Sequence, residues 1–166
     1  MKTYLFAFLL ITSNHSAFQE WKTLQAPEYS IQYKPEWFLD QSGRSGTKFM
    51  LFSPEVPGQV FKNNINLIIQ DLKGQNIDLK KFVDISTDQI KTLIESSKIL
   101  LSQTKDGRHE IVYTGAYQQF SLKWKQYYWV ENEKAYVLTF TADNSSYEGG
   151  AGDATRMMDS FKIGGK

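Results

Sequence analysis

The chain has 166 residues, 41% of them apolar and 14% aromatic, which suits one compact domain that buries roughly 70% of the surface its unfolded form exposes. Nineteen Lys and Arg against eighteen Asp and Glu leave a formal net charge of +1, so no overall field draws it to nucleic acid, an anionic membrane or an acidic partner. There is no cysteine, which excludes from this sequence a disulfide framework, Cys-ligated zinc and a lipid-modified N-terminal Cys.

Residues 1–17, MKTYLFAFLLITSNHSA, place one Lys before an apolar run from Tyr4 to Ile11 and end in small polar residues and Ala17. That is the layout of a cleavable signal peptide. The run is too short to cross a bilayer, which takes about 20 apolar residues. The expectation is therefore a periplasmic or secreted protein without a stable membrane anchor, with residues 18–166 forming a single domain. A buried N-terminal strand is the alternative, and His15 at the third position before the cut leaves the cleavage site open.

Strands are predicted near Tyr29 to Tyr33 and Thr47 to Ser53. The following SPEVPGQVFKN holds two prolines and a glycine, which break any regular element. Asn64 to Asp71 alternates Ile65, Leu67 and Ile69 with Asn66, Ile68 and Gln70, as a half-buried strand does. From Asp78 the period changes: Leu79, Phe82, Val83, Ser86, Ile90, Leu93 and Ile94 recur at steps of three and four, predicting an amphipathic helix with Asp78 as N-cap. KILLSQTK and RHEIVYTGAY flank Asp106 and Gly107, a strong hairpin signal, and FSLKWKQYYWV and KAYVLTFTA complete a four-strand meander. The last of these is apolar on both faces and predicts a central strand covered on both sides. Ala154, Met157, Met158 and Phe161 are spaced as the inner face of a closing helix. The sum is an α+β domain with an antiparallel sheet flanked by helices.

Tyr33, Pro35 and Trp37 in YKPEW, Tyr136 to Thr141 in AYVLTFT, and the closing Ser160 and Phe161, in this order of elements, resemble the PsbP-like fold family. The resemblance implies an α/β/α sandwich and noncatalytic binding or assembly roles. It transfers no catalytic residue and no cofactor, and fold alone does not fix a partner.

Individual motifs point the same way. YEGGAGDATR, Tyr147 to Arg156, offers three glycines after a strand, but no GK[ST] follows and Asp153 sets a negative charge beside them, so it does not read as a phosphate cradle. Gly149, Gly150 and Gly152 are expected to form the corner off the central strand, with the helix starting late. His109, the one histidine beyond residue 17, is expected to be a solvated residue near a hairpin tip, without the nucleophile that a triad needs. Asp143, Asn144, Glu148 and Asp153 match no calcium loop, and no metal site is expected.

In FSLKWKQYYWV, Phe120, Leu122, Trp124, Tyr128 and Val130 share a core face, and Lys123, Lys125, Tyr127 and Trp129 share the other. The second set is either covered by the long helix or forms an open basic and aromatic strip. Those four residues and Phe61, in the broken loop, are the candidate partner-binding residues for an unidentified protein, with no nucleic acid. A carrier or chaperone for apolar segments or small amphipathic ligands is the alternative, and predicts a deep apolar concavity. A carboxylate-dependent hydrolase is a third reading, and needs two acids facing each other across a cleft.

Overall fold

The computed structural model describes residues 20–164; the expected leader, residues 1–17, lies outside the described residues. The elements run β1 (Lys22–Gln25), β2 (Tyr29–Tyr33), β3 (Phe38–Asp40), β4 (Phe49–Phe52), β5 (Asn64–Asp71), α1 (Leu79–Leu93), β6 (Glu95–Lys105), β7 (Arg108–Tyr117), β8 (Phe120–Glu131), β9 (Lys134–Asp143), α2 (Tyr147–Asp159) and β10 (Lys162–Ile163). A seven-stranded antiparallel sheet has the order β3-β4-β5-β9-β8-β7-β6, and a small sheet has the order β1-β2-β10.

The expected meander from β6 to β9 forms, and β9 is the middle strand of the large sheet. Its alternation divides the core. Tyr136, Leu138, Phe140 and Ala142 face α2 and the small sheet, and Ala135 and Val137 face α1. Helices thus cover both faces of an antiparallel sheet, as expected, and the small sheet joins α2 on one of them. The β6–β7 turn places Asp106 and Gly107 at φ 52° and 74°, the two positive values that a tight two-residue hairpin takes.

Helix α1 is capped as its sequence indicates: the Asp78 carboxylate accepts from the Lys81 amide at 2.8 Å. Helix α2 corrects one expectation. It begins at Tyr147, so Gly149, Gly150 and Gly152 are helical, and the corner lies before them in Asp143–Ser146. Glycine weakens a helix by about 1 kcal/mol per residue. Packing supplies what propensity lacks, because Tyr147, Ala154, Met157 and Met158 are all buried along one face.

The end of α2 is clamped to the small sheet. The Gln32 amide donates to Ser160 Oγ at 2.9 Å, and Phe161 packs between Tyr29 and Trp129 with ring centroids at 6.1 and 5.2 Å. At the other end of the small sheet, Lys34 to Trp37 make a turn closed by the Trp37 amide and the Lys34 carbonyl at 2.9 Å, which brings the Trp37 indole beneath the start of α2.

Candidate functional site

The four candidates on β8 lie under a helix, and that helix is α2 rather than the long α1. Lys123 Nζ pairs with Glu148 at 2.7 Å and lies 4.1 Å from the Tyr147 ring centre. Lys125 Nζ reaches Glu110 at 3.0 Å and Thr155 Oγ1 at 3.2 Å. Tyr127 is 1% exposed; its hydroxyl donates to Asp159 Oδ1 at 2.9 Å, and the Arg108 guanidinium lies 3.8 Å from its ring centre. Burial and the Asp159 carboxylate push that hydroxyl's pKa well up. Trp129 is half-buried against Phe161. No open basic strip exists on this face.

The fifth candidate, Phe61, belongs to a different structure. Ser53 to Asn63 forms an Ω-like loop between β4 and β5, tied at its neck by the Ser53 amide and the Asn63 carbonyl at 2.9 Å. Val56-Pro57-Gly58-Gln59 makes a turn with Pro at the second place and Gly58 at φ 81° in the third, closed by Gln59 N to Val56 O at 3.0 Å. Gln59 then straps the loop: its Nε2 donates to the Phe61 carbonyl at 2.8 Å and Asn63 Oδ1 at 2.9 Å, with Ser146 Oγ at 3.4 Å. Phe61 turns inward against Phe120, with centroids 5.2 Å apart. Val56 and Val60 point out and are 55% and 84% exposed.

Between this loop and the start of α2 lies a cavity of about 430 Å³. Trp37, Pro54 and Val56 give it apolar walls; Asn63, Ser146 and the backbone at Gly149 and Gly150 give it polar ones. At one end, Lys34 Nζ bridges Asp153 at 2.6 Å and Glu36 at 3.2 Å. Asp153 first, and then Glu36, hold the Lys34 ammonium above its usual pKa. The two acids are therefore joined through a cation. A second cavity, about 420 Å³, lies between α1 and the sheet, lined by Leu72, Phe82, Ile90, Leu93, Tyr113 and Tyr128 among others.

Other sequence candidates fall apart in space. Asp143 accepts from the Ser145 amide at 2.9 Å, Glu148 goes to Lys123 and Asp153 to Lys34. Among the described residues no three His, Cys, Asp or Glu side chains group around a common point. His109 corrects a second expectation. It is buried, stacked on Tyr128 at 5.9 Å, with Nδ1 at 2.8 Å from Thr104 Oγ1 and Nε2 at 3.2 Å from Ser102 Oγ. Burial lowers its pKa, against the opposing pull of Glu110. It touches hydroxyls and a ring but no carboxylate, so it lacks the orienting acid of a catalytic histidine.

Sequence reasoning missed Trp37, Gln59, Asn63 and Ser146 as neighbours. The one available signal was the pair of breakers, Pro57 and Gly58, which marks where the chain must fold back on itself.

The sequence matches no protein-family model and no curated protein. Solved structures are similar in three dimensions. LpqN of Mycobacterium tuberculosis, involved in cell envelope biogenesis, aligns over 87% of this chain and 91% of its own, with 14% identity and a TM-score of 0.67. The cyanobacterial PsbP of Synechocystis aligns over 93% and 98%, with 11% identity and a TM-score of 0.62. PA94 of Pseudomonas aeruginosa, a protein of unknown function, aligns over 84% and 94%, with 8% identity and a TM-score of 0.61. At such identities the likeness is one of fold, and it shows that this chain has a PsbP-like fold.

Proposed function

We propose that this protein is an exported, noncatalytic binding module that docks a protein partner on the rim formed by the Ser53–Asn63 loop, over the cavity at the start of α2. The observation that carries the reading is the pair Val56 and Val60. Both stand exposed on a loop that Gln59, Phe61 and the neck hydrogen bond hold in shape. An apolar rim that is already ordered loses little entropy on association, which is what a docking edge needs. The N-terminal residue pattern supports export, and among the described residues no helix is long and apolar enough to cross a membrane. LpqN, with the same fold, is involved in cell envelope biogenesis, which fits a module working outside the cytoplasm.

The noncatalytic part rests on the polar groups. The lone described histidine is packed between hydroxyls and a ring, and Glu36 and Asp153 are bridged by Lys34 instead of facing each other across open space. The test compares wild type with a Val56→Ser, Val60→Ser double variant as bait for the native envelope fraction, at matched stability. Proteins retained by the wild type and lost by the variant are expected; identical capture by both removes the loop from the reading.

A second reading has its own observation. The groove beneath α1 is bordered by Ile85 and Leu93, the latter 73% exposed, so an apolar ligand could lie against the helix edge as the carrier alternative requires. Leu93→Ser would then weaken uptake of an apolar fluorescent probe and leave the double-variant capture experiment unchanged.

A further inference from the structure

The cavity beside the loop holds hydrogen-bond donors that meet no acceptor among the described residues. Asn63 is only 7% exposed. Its Oδ1 accepts from Gln59 Nε2 at 2.9 Å and from Ser146 Oγ at 3.4 Å. Gln59 Nε2 can only donate, so the carboxamide orientation is fixed with its oxygen on that side. Nδ2 faces the other way, where a Cβ on Gly150 would stand 3.5 Å from it, and no acceptor among the described residues takes its protons. Nδ2 is not a sealed, unpaired group; it opens to the cavity as an available donor.

The start of α2 adds to this set. Ser146 occupies the N-cap place without capping; its hydroxyl is turned to Asn63 and to the Asp143 carbonyl at 3.3 Å. The first-turn amides are left without the acceptor a capping side chain gives. Gly149 and Gly150, which line the cavity, have no side chain to cover the backbone there. Glu148, the acid of this turn, is drawn off by Lys123 at 2.7 Å.

One turn further along α2 the polarity reverses. Glu36 and Asp153 share the single Lys34 ammonium, which leaves an excess of one negative charge at that end. Gly149 and Asp153 are four residues apart, about 6 Å along the axis. A simple anion would satisfy the donors but find a repelling far end. A molecule with a carboxylate at one end and an ammonium about 7 Å away, the span of two extended residues, suits both.

We infer that this cavity binds a short zwitterionic peptide of dipeptide size. Its carboxylate meets Asn63 Nδ2 and the first amides of α2, its ammonium meets Glu36 and Asp153, and its apolar side chains lie on Trp37 and Val56. About 430 Å³ is within the range of small-ligand sites. The inference rests on the reading of this cleft as a binding site and names what its interior takes.

The probe is leucyl-leucine, titrated into isotope-labelled protein and followed by NMR at the Gly149 and Gly150 amides and the Asn63 side-chain NH2. Saturable shifts at all three are expected. Amidating the peptide's C-terminus or acetylating its N-terminus should each weaken binding at least tenfold. Asn63→Asp, which keeps the shape and replaces the donor by an anion, should weaken the free dipeptide at least tenfold, while Val60→Ser leaves it unchanged. No saturable shift at millimolar dipeptide, or equal binding of the amidated form, overturns the inference. Both comparisons between peptides use the wild-type protein, so they hold even where Asn63→Asp fails to fold. Partner capture that depends on Val56 and Val60 without any dipeptide response would sink this inference and leave the docking rim standing; the reverse result would remove the rim and support the peptide site.

Discussion

Strand β8 and the Ser53–Asn63 loop both place large apolar side chains beside lysines, and both look over-supplied with them when read as sequence. On β8 the surplus is core. Tyr127 is closed over by α2, Arg108 and Asp159, and the lysines of that face run out to Glu148, Glu110 and Thr155. In the loop Val56 and Val60 stay outside while Phe61 turns in, because Pro57 and Gly58 set a turn and Gln59 fixes it. A regular strand always offers a face on which another layer can lie. A broken loop does not, so its apolar residues are the better guide to a partner.

The sharpest way to break this contrast is to truncate on β8. Tyr127→Ala should lower stability by roughly 3 kcal/mol or more in urea unfolding, as expected for a buried aromatic, and should loosen α2 along with it. Tyr127→Phe keeps the ring and loses only the bond to Asp159, so about 1 kcal/mol is expected. If both variants unfold like the wild type, α2 does not cover the strand as described and the open-strip reading returns.

The two regions also differ in how far sequence could foresee them. Alternation placed Lys123, Lys125, Tyr127 and Trp129 on one face, and they do share it, opposite Leu122, Trp124 and Tyr128. Alternation carries no information on which helix lies above. The closing helix was legible from Ala154, Met157 and Met158, but its first turns were hidden for a related reason: Gly149, Gly150 and Gly152 weaken local propensity, and that end is held by Tyr147 against the distant Phe140. Helix α1 was legible because its cap, Asp78, and its period both lie within one short segment. The cavity was illegible because Trp37, Asn63 and Gly150 meet only in three dimensions.

The opposite face of β8 offers a smaller and pH-dependent test. Tyr128 stacks on His109, whose burial depresses its pKa below the usual 6.5. The neutral ring is favoured in the folded state, so the unfolded chain takes up the proton first as pH falls. Stability is then complete above about pH 6.5, declines as pH drops from there through the folded-state value, and levels off below it. Glu110 opposes the shift but burial is the larger cause. His109→Gln should flatten the stability profile between neutral and mildly acid pH, where unpaired carboxylates do not yet titrate. A profile that keeps its slope in the variant would place the acid sensitivity elsewhere.

The smallest expected effect belongs to the loop, and its smallness is the point. Val60 is 84% exposed, so replacing it removes almost no buried area, and surface changes of this kind stay within about 0.5 kcal/mol. Val60→Ser should therefore unfold at the wild-type urea midpoint. Phe61, one residue on, is packed on Phe120, and its truncation should cost more. Adjacent positions with unequal costs would show that the loop turns one apolar residue in and one out, by the strap from Gln59 rather than by chance fluctuation. If Val60→Ser proves as costly as Phe61→Ala, the loop folds over its own valine in solution, the rim is not apolar, and the difference drawn between the loop and β8 disappears.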